Sequence, residues 1–236
     1  AMTRAALVTG AASGIGLAIA ERLAADGWRV HGVDLADGDL STREGNRAVV
    51  EQALERFGRL DAVVPVAGFQ HVAPIAEFPE DRWDALVAVL LTSPFLLAKY
   101  AWEALAAGGD GRFLVVASVH GLVASPFKAG YVSAKHGVMG LVKTIALEGA
   151  EVGISAAALC PAYVRTPLVE QQIAAQAAAH GVPEERVLED VILAPQAVKR
   201  LIEPAEVAET AAFLLGAGGR SFSGAPVVMD LGWTAR

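Results

Sequence analysis

A single cysteine, Cys160, is the chain's whole thiol complement. One thiol cannot close an intrachain disulfide, which fits a reducing cytoplasm. Positive charge is also short: 19 Lys and Arg face 26 Asp and Glu, for a net charge of −7, and no long basic run occurs. A duplex-binding surface needs clustered Lys and Arg, so nucleic acid is not expected as a partner. No uninterrupted apolar run reaches the roughly 18 residues of a spanning helix, so no membrane is expected either. The opening "TRAALVTG" lacks a signal-peptide layout. There is no repeat and no linker rich in Pro, Gly or Ser. What the chain has is apolar bulk. Hydrophobic residues make up 54% and charged ones 19% of 236 residues, which excludes a disordered class. The length allows one large core and is short for two domains.

Short apolar runs alternate with helical patterns. "RAALVT" (4–9), "WRVHGVD" (28–34), "LDAVVPV" (60–66), "RFLVVAS" (112–118), "ISAAALC" (154–160) and "APVVMD" (225–230) predict strands buried on both faces. Between them 14–26, 44–58, 80–107, 130–151 and 204–215 predict helices. The alternation predicts an α/β fold: a single-domain, doubly wound Rossmann arrangement spanning 1–236, with a parallel sheet and helices on both faces. The segment 161–203 breaks the alternation. It is rich in Ala, Gln and Glu, holds several prolines and follows a strand's carboxyl end, the place for a substrate-covering lid.

"TGAASGIG", Thr9 to Gly16, follows a strand and opens a helix. That is the context of a dinucleotide fingerprint. Gly10 permits the tight turn, and Gly14 and Gly16 let backbone and pyrophosphate approach. The helix start at Ser13, Gly14 and Ile15 offers free N–H groups and partial positive charge. Asp34 ends the next strand. A carboxylate there accepts from a ribose 2′-hydroxyl and repels a 2′-phosphate, and the next residues, Leu35 and Ala36, bring no arginine. NAD is favoured over NADP.

"SVHGLVASPFKAGYVSAK" (118–135) gathers a serine, a histidine, two lysines and a tyrosine in apolar surroundings. Tyr131 and Lys135 lie four apart on a predicted helix and share a face. A free tyrosine has a pKa of about 10, and a nearby ammonium lowers it. Ser118, at a predicted strand end, can bond the same substrate oxygen. Together these groups suit removal of a hydroxyl proton while hydride leaves the same carbon. His31, His71, His136 and His180 carry no independent case, and no His, Cys, Asp or Glu set has metal-ligand spacing.

"TGAASGIG", Ser118 and "YVSAK" together resemble the short-chain dehydrogenase/reductase family, and the similarity runs essentially end to end. The resemblance implies Tyr131 as acid/base, Lys135 on the nicotinamide ribose, and Ser118 polarising the substrate oxygen. It implies that Thr166 and the Val164 amide meet the nicotinamide carboxamide, that Asp39 touches the adenine, and that Ala67 and Gly68 let the ribose approach. "GFQHVAPI" (68–75), "CPAYVRTPLVEQQI" (160–173) and "GWTAR" (232–236) resemble a branch acting on short 3-hydroxy acids. In that branch a carboxylate is gripped by residues matching Gln70, His120, Lys128 and Gln172. The implied substrate is therefore a small anion, and the implied assembly a homotetramer; the long apolar helices 80–107 and 130–151 offer faces for two-fold packing. Trp233 is expected near a substrate site, its own or a neighbouring subunit's.

Three departures from the family stand out. "PVAG" (65–68) replaces Asn-Asn-Ala-Gly, and Pro65 is compatible with a central strand only at its end. Leu90 falls where the family's catalytic asparagine holds a relay water, leaving Thr92 or Ser93 as substitutes. The stretch after Asp34 is a helix short, which is expected to bare one flank of the sheet. Ala162 and Leu231 replace usual glycines. Other readings stay open: a dehydrogenase of neutral alcohols or sugars, or an impaired homologue that only binds NAD.

Overall fold

The computed structural model describes residues 3–235; Arg236 of "GWTAR" lies outside them. Six strands form one parallel sheet in the order β2-β1-β3-β4-β5-β6. They are β1 (Ala5–Thr9), β2 (Arg29–Val33), β3 (Ala62–Val64), β4 (Gly111–Val116), β5 (Ile154–Pro161) and β6 (Pro226–Met229). Every predicted strand is present. The helices are α1 (Gly14–Ala25), α2 (Arg43–Phe57), α3 (Glu80–Val87), α4 (Ser93–Ala107), α5 (Ala129–Gly149), α6 (Pro167–Glu170), α7 (Ile173–His180), α8 (Glu184–Val187) and α9 (Pro204–Leu215).

Strands β1, β3, β4 and β5 are buried along their whole length, as expected when helices cover both faces. On one face Leu7, Val63, Phe113 and Val115 pack with Val49, Ala53, Leu97, Val138 and Val142. On the other Ala6, Val8, Val64, Leu114 and Leu159 pack with Ile19, Leu23, Val207 and Ala211. Helix starts follow local chemistry. The Thr42 hydroxyl accepts from the Gly45 amide at 3.0 Å, and Gly58 closes α2 at φ 68°.

The structure corrects the expectation of a bared flank. Helix α2 directly follows the short 34–42 turn, and Val49, Val50 and Ala53 cover β1, β2 and β3 on that side. What stays open is the edge of β2, which among the described residues pairs in the sheet with β1 alone. Pro65 sits just past β3, and its carbonyl accepts from the Val116 amide at 3.0 Å. The ladder is therefore spared.

The predicted 80–107 helix is interrupted by a π-helical turn, Ala88–Thr92. Pro94 has no N–H to give the Leu90 carbonyl four residues earlier, and its ring crowds that carbonyl, so the wider turn relieves both problems. The 80–107 span contains a stretch long and apolar enough, by length and composition alone, to cross a membrane. In this fold it packs against α2 and α5.

Candidate active site

The order of strands turns back at β1, which has β2 on one side and β3 on the other. A crevice opens there beyond the carboxyl ends of the strands, the usual ligand position in such sheets. It is lined by Gly10, Ser13, Gly14, Ile15, Gly16, Asp34, Val66, Ala67, Gly68 and Thr166. Gly10 has φ 66°, and a Cβ there would lie 2.9 Å from the Ala67 backbone. A Cβ on Gly16 would fall 2.1 Å from the Gly10 carbonyl oxygen, so the loop can close only on glycine. Ser13 is the N-cap of α1, and its side chain makes no capping bond. The first amides of a twelve-residue helix therefore face an open cleft.

Asp34 reaches the loop. Its Oδ2 accepts from the Ala12 amide at 3.1 Å and its Oδ1 from the Leu35 amide at 2.8 Å. Two other expected cofactor residues are placed differently. The buried Thr9 hydroxyl accepts from the amides of Val66 and Ala67 at 3.0 and 3.1 Å. Thr9 thus shapes the turn after β3 instead of lining the crevice. Asp39 is exposed and outside the crevice lining. Its Oδ1 takes the Ser41 amide and hydroxyl at 2.9 and 2.7 Å, starting the turn into α2.

A second cavity of about 100 Å³ adjoins the first, sharing Ile15, Val66, Gly68, Thr166 and Leu168 with it. Ser118, Tyr131 and Lys135 line it, together with Gln70, His120, Lys128 and Gln172. The structure therefore brings both sequence-predicted sets to one cavity. Ser118 lies two residues past β4, and its Oγ accepts from the His120 amide at 3.1 Å. Lys135 sits one turn after Tyr131 on α5, with its Nζ 5.6 Å from the phenol ring centre. That Nζ donates to the Val116 carbonyl at 2.8 Å.

The electrostatics differ from expectation. Burial pushes the Tyr131 phenol up to about 12, and only its hydrogen bond with Ser118 opposes this. Burial also pushes the Lys135 ammonium down to about 8, with the neighbouring Cys160 opposing. Desolvation therefore outweighs any lowering of the phenol by the lysine.

At the other end of the cavity Lys128 is buried. Its Nζ donates to the Tyr163 hydroxyl at 2.7 Å and to Gln172 Oε1 at 3.2 Å. Burial lowers it to about 7. His120 is held neutral, lowered to about 3 by burial and then by Lys128. Its Nε2 lies 2.9 Å from the Ser125 hydroxyl. Gln70 folds back so that its Oε1 accepts from the His71 amide at 3.0 Å.

The segment after β5 supplies Thr166, Leu168, Val169 and Gln172 to the cavity wall. It carries a small core of its own, made of Tyr163, Val169, Ala177, Val187, Ile192 and Leu201. Trp233 lines the same cavity, so the site it approaches is its own chain's. Neither Tyr163 nor a same-chain Trp233 was evident from the sequence. The nearest signal was a tyrosine two residues past a strand end.

Leu90 is buried in the cavity wall. Its Cδ2 lies 2.6 Å from where a Gly68 Cβ would stand. Ser93 cannot serve as its substitute, because its hydroxyl donates to Asn46 Oδ1 at 2.6 Å in a buried tie between α4 and α2. The remaining histidines sit apart from the cavity lining. His31 meets Gln52, His71 meets the Phe78 ring, His136 meets the Val132 carbonyl, and His180 meets Phe127.

A nucleotide crevice at the sheet's turning point, opening onto a Ser–Tyr–Lys cavity on β4 and α5, defines the short-chain dehydrogenase/reductases, and the chain belongs to that family. The family model described as enoyl-(acyl carrier protein) reductase matches residues 31–234, and the short chain dehydrogenase model matches residues 4–37. The chain is 41% identical to the D-beta-hydroxybutyrate dehydrogenase of Rhizobium meliloti, with 100% of both chains covered. It is 39% identical to the enzyme of the same name from Cupriavidus necator, covering 98% of each. The Rhizobium alignment runs over 258 positions, more than this chain has residues, so that relative carries residues absent here. Among solved structures, an actinorhodin polyketide ketoreductase with NADPH superposes with a TM-score of 0.91 at 30% identity, covering 99% of this chain and 98% of that one.

Proposed function

We propose that the protein is an NAD-dependent dehydrogenase interconverting a short 3-hydroxy acid, such as 3-hydroxybutyrate, and its 3-oxo acid. The observation that carries this reading is one small cavity with an alcohol-handling end and an anion-holding end. Ser118, Tyr131 and Lys135 form the first; Gln70, His120, Lys128 and Gln172 form the second. A neutral alcohol or sugar gives no use to a buried lysine held by two polar partners. The names of the Rhizobium and Cupriavidus relatives agree with the acid.

The crevice fits a dinucleotide: its loop closes tightly because Gly10 and Gly16 carry no Cβ, and the first residues of α1 line it. Asp34 favours a free ribose 2′-hydroxyl and disfavours a 2′-phosphate. NAD held in this crevice would supply the hydride acceptor for the carbinol carbon. Ser118 orients the substrate hydroxyl, and Tyr131 takes its proton. Lys135 holds a positive charge near the phenolate as it forms. Gln172, from the lid segment, completes the anion end while Leu168 and Val169 exclude water.

The test is NAD reduction with 3-hydroxybutyrate, followed by absorbance. Wild type should turn over, and Tyr131→Phe should lose about 10²–10⁴-fold or more in rate. Silence in both would favour a nucleotide-binding homologue, the reading that Leu90 in the asparagine position supports. Asp34→Ser should narrow the preference for NAD over NADP by about tenfold, read from the two kcat/KM values.

A further inference from the structure

Resting on that function, we propose that Tyr163 determines specificity for the acid: its hydroxyl joins the anion clamp as a donor to the substrate's carboxylate, held in place by Lys128. The hydroxyl sits 2.7 Å from Lys128 Nζ and accepts a hydrogen bond from it. Accepting from an ammonium leaves the phenol's own O–H to donate, and polarises it for doing so. Burial holds the Tyr163 pKa well above its ordinary value, with Tyr131 adding to the effect, so the donor keeps its proton.

The geometry is pinned from several sides. The Tyr163 carbonyl accepts from the Ile202 amide at 2.9 Å, and Val164 bridges Ile202 in parallel register. The ring stacks on Trp233 at 5.8 Å and 19°. The His120 ring meets both edge-on, at 6.2 Å from Tyr163 and 5.3 Å from Trp233. Lys128 Nζ lies 4.8 Å from the phenol ring centre, so ring and hydroxyl both hold the ammonium. A phenylalanine would keep the stack and remove only the hydroxyl. Lys128 would then retain Gln172 as its polar partner.

The experiment compares Tyr163→Phe with wild type on two alcohols of one carbon skeleton, 3-hydroxybutyrate and butan-2-ol, with NAD in excess. The expected result is a fall in kcat/KM for the acid of about 10–100-fold, chiefly through KM, the loss expected for one hydrogen bond to a charged group. Turnover of butan-2-ol should stay within about twofold, since no carboxylate is there to be bound. An equal fall on both alcohols, or no fall on either, overturns the proposal. A second arm does not depend on turnover. Butyrate carries the acid without the reacting hydroxyl, and its Kd for the NAD-loaded protein is read by calorimetry. A weaker Kd in Tyr163→Phe with an unchanged NAD affinity supports the proposal, and an unchanged butyrate Kd overturns it. Wild type that binds butyrate but never oxidises 3-hydroxybutyrate would sink the parent function while leaving Tyr163 to be judged by the binding arm.

Discussion

Lys128 is the residue whose charge most clearly follows from where it is buried. Its pKa, lowered to about 7, implies that the free protein carries a full positive clamp only below neutrality. Since kcat/KM reports groups of the free enzyme, kcat/KM for an anionic substrate should fall as pH rises through about 7. Lys128→Met should abolish that alkaline limb and lower kcat/KM for the acid by about 100-fold or more. The stability consequence has a definite sign. Between about 7 and the unfolded value near 10.5, the unfolded chain binds more protons than the folded one, so stability rises with pH across that window. Lys128→Met should therefore raise Tm more at about pH 6 than at about pH 10, as calorimetric melts would show. Leu231 belongs to the same scale. It takes φ 53° in a turn that its own carbonyl and Asp230 hold: the carbonyl accepts from Ala197 and Val198, and the carboxylate from Gly232 and Thr234. A left-handed leucine is costly by roughly 1–2 kcal/mol. The usual glycine would avoid that cost.

Among the elements, the π turn between α3 and α4 matters most. It sets Leu90 against Gly68 and beside Tyr131, in a cluster with Leu86 and Ala134. The family's asparagine at this position implies a water-held proton exit from the lysine, and a leucine has no polar atom to hold one. Leu90→Asn should raise kcat by about tenfold, seen in steady-state rates, if that relay limits turnover. It should also lower stability by about 1–3 kcal/mol, because an amide enters an apolar cluster. An unchanged kcat in a folded variant would count against a relay through this position. The turn was not legible from apolar spacing alone. Spacing predicted one helix over 80–107, whereas Pro94 decides how its middle turn is bonded.

For the molecule as a whole, α4 and α5 pack against one another and leave Leu147 at 78% and Phe95 at 45% exposure. Large apolar side chains on adjoining helices suit two-fold packing between copies. Should copies pair through this face, as the family resemblance implies, Leu147→Glu and Phe95→Glu together should shift the assembly toward smaller species in sedimentation velocity, without lowering helix content. The sheet's β2 edge is a second open feature. It lies across the sheet from β6 and beside Asp34, so any further residues that relatives carry after β2 would fall near Asp34 and the crevice it lines.

Much of this was settled by the chain's local pattern. Apolar runs bounded by helical periodicity placed all six strands, and the glycine loop placed the crevice. A four-residue spacing put Tyr131 and Lys135 on one face of α5. These are properties of neighbouring residues, and backbone geometry turns them directly into structure. Packing decided the rest. Thr9 and Ser93 have hydroxyls that sequence alone could assign to the site, yet each is bonded elsewhere, to the turn after β3 and to Asn46. Tyr163 and Trp233 reach the cavity that Lys128 lines from positions 35 and 105 residues beyond it. The phenol of Tyr131 is pushed up and not down because a pKa answers to the low-dielectric surroundings that distant segments build. No short-range pattern in a sequence records how dry a site will be.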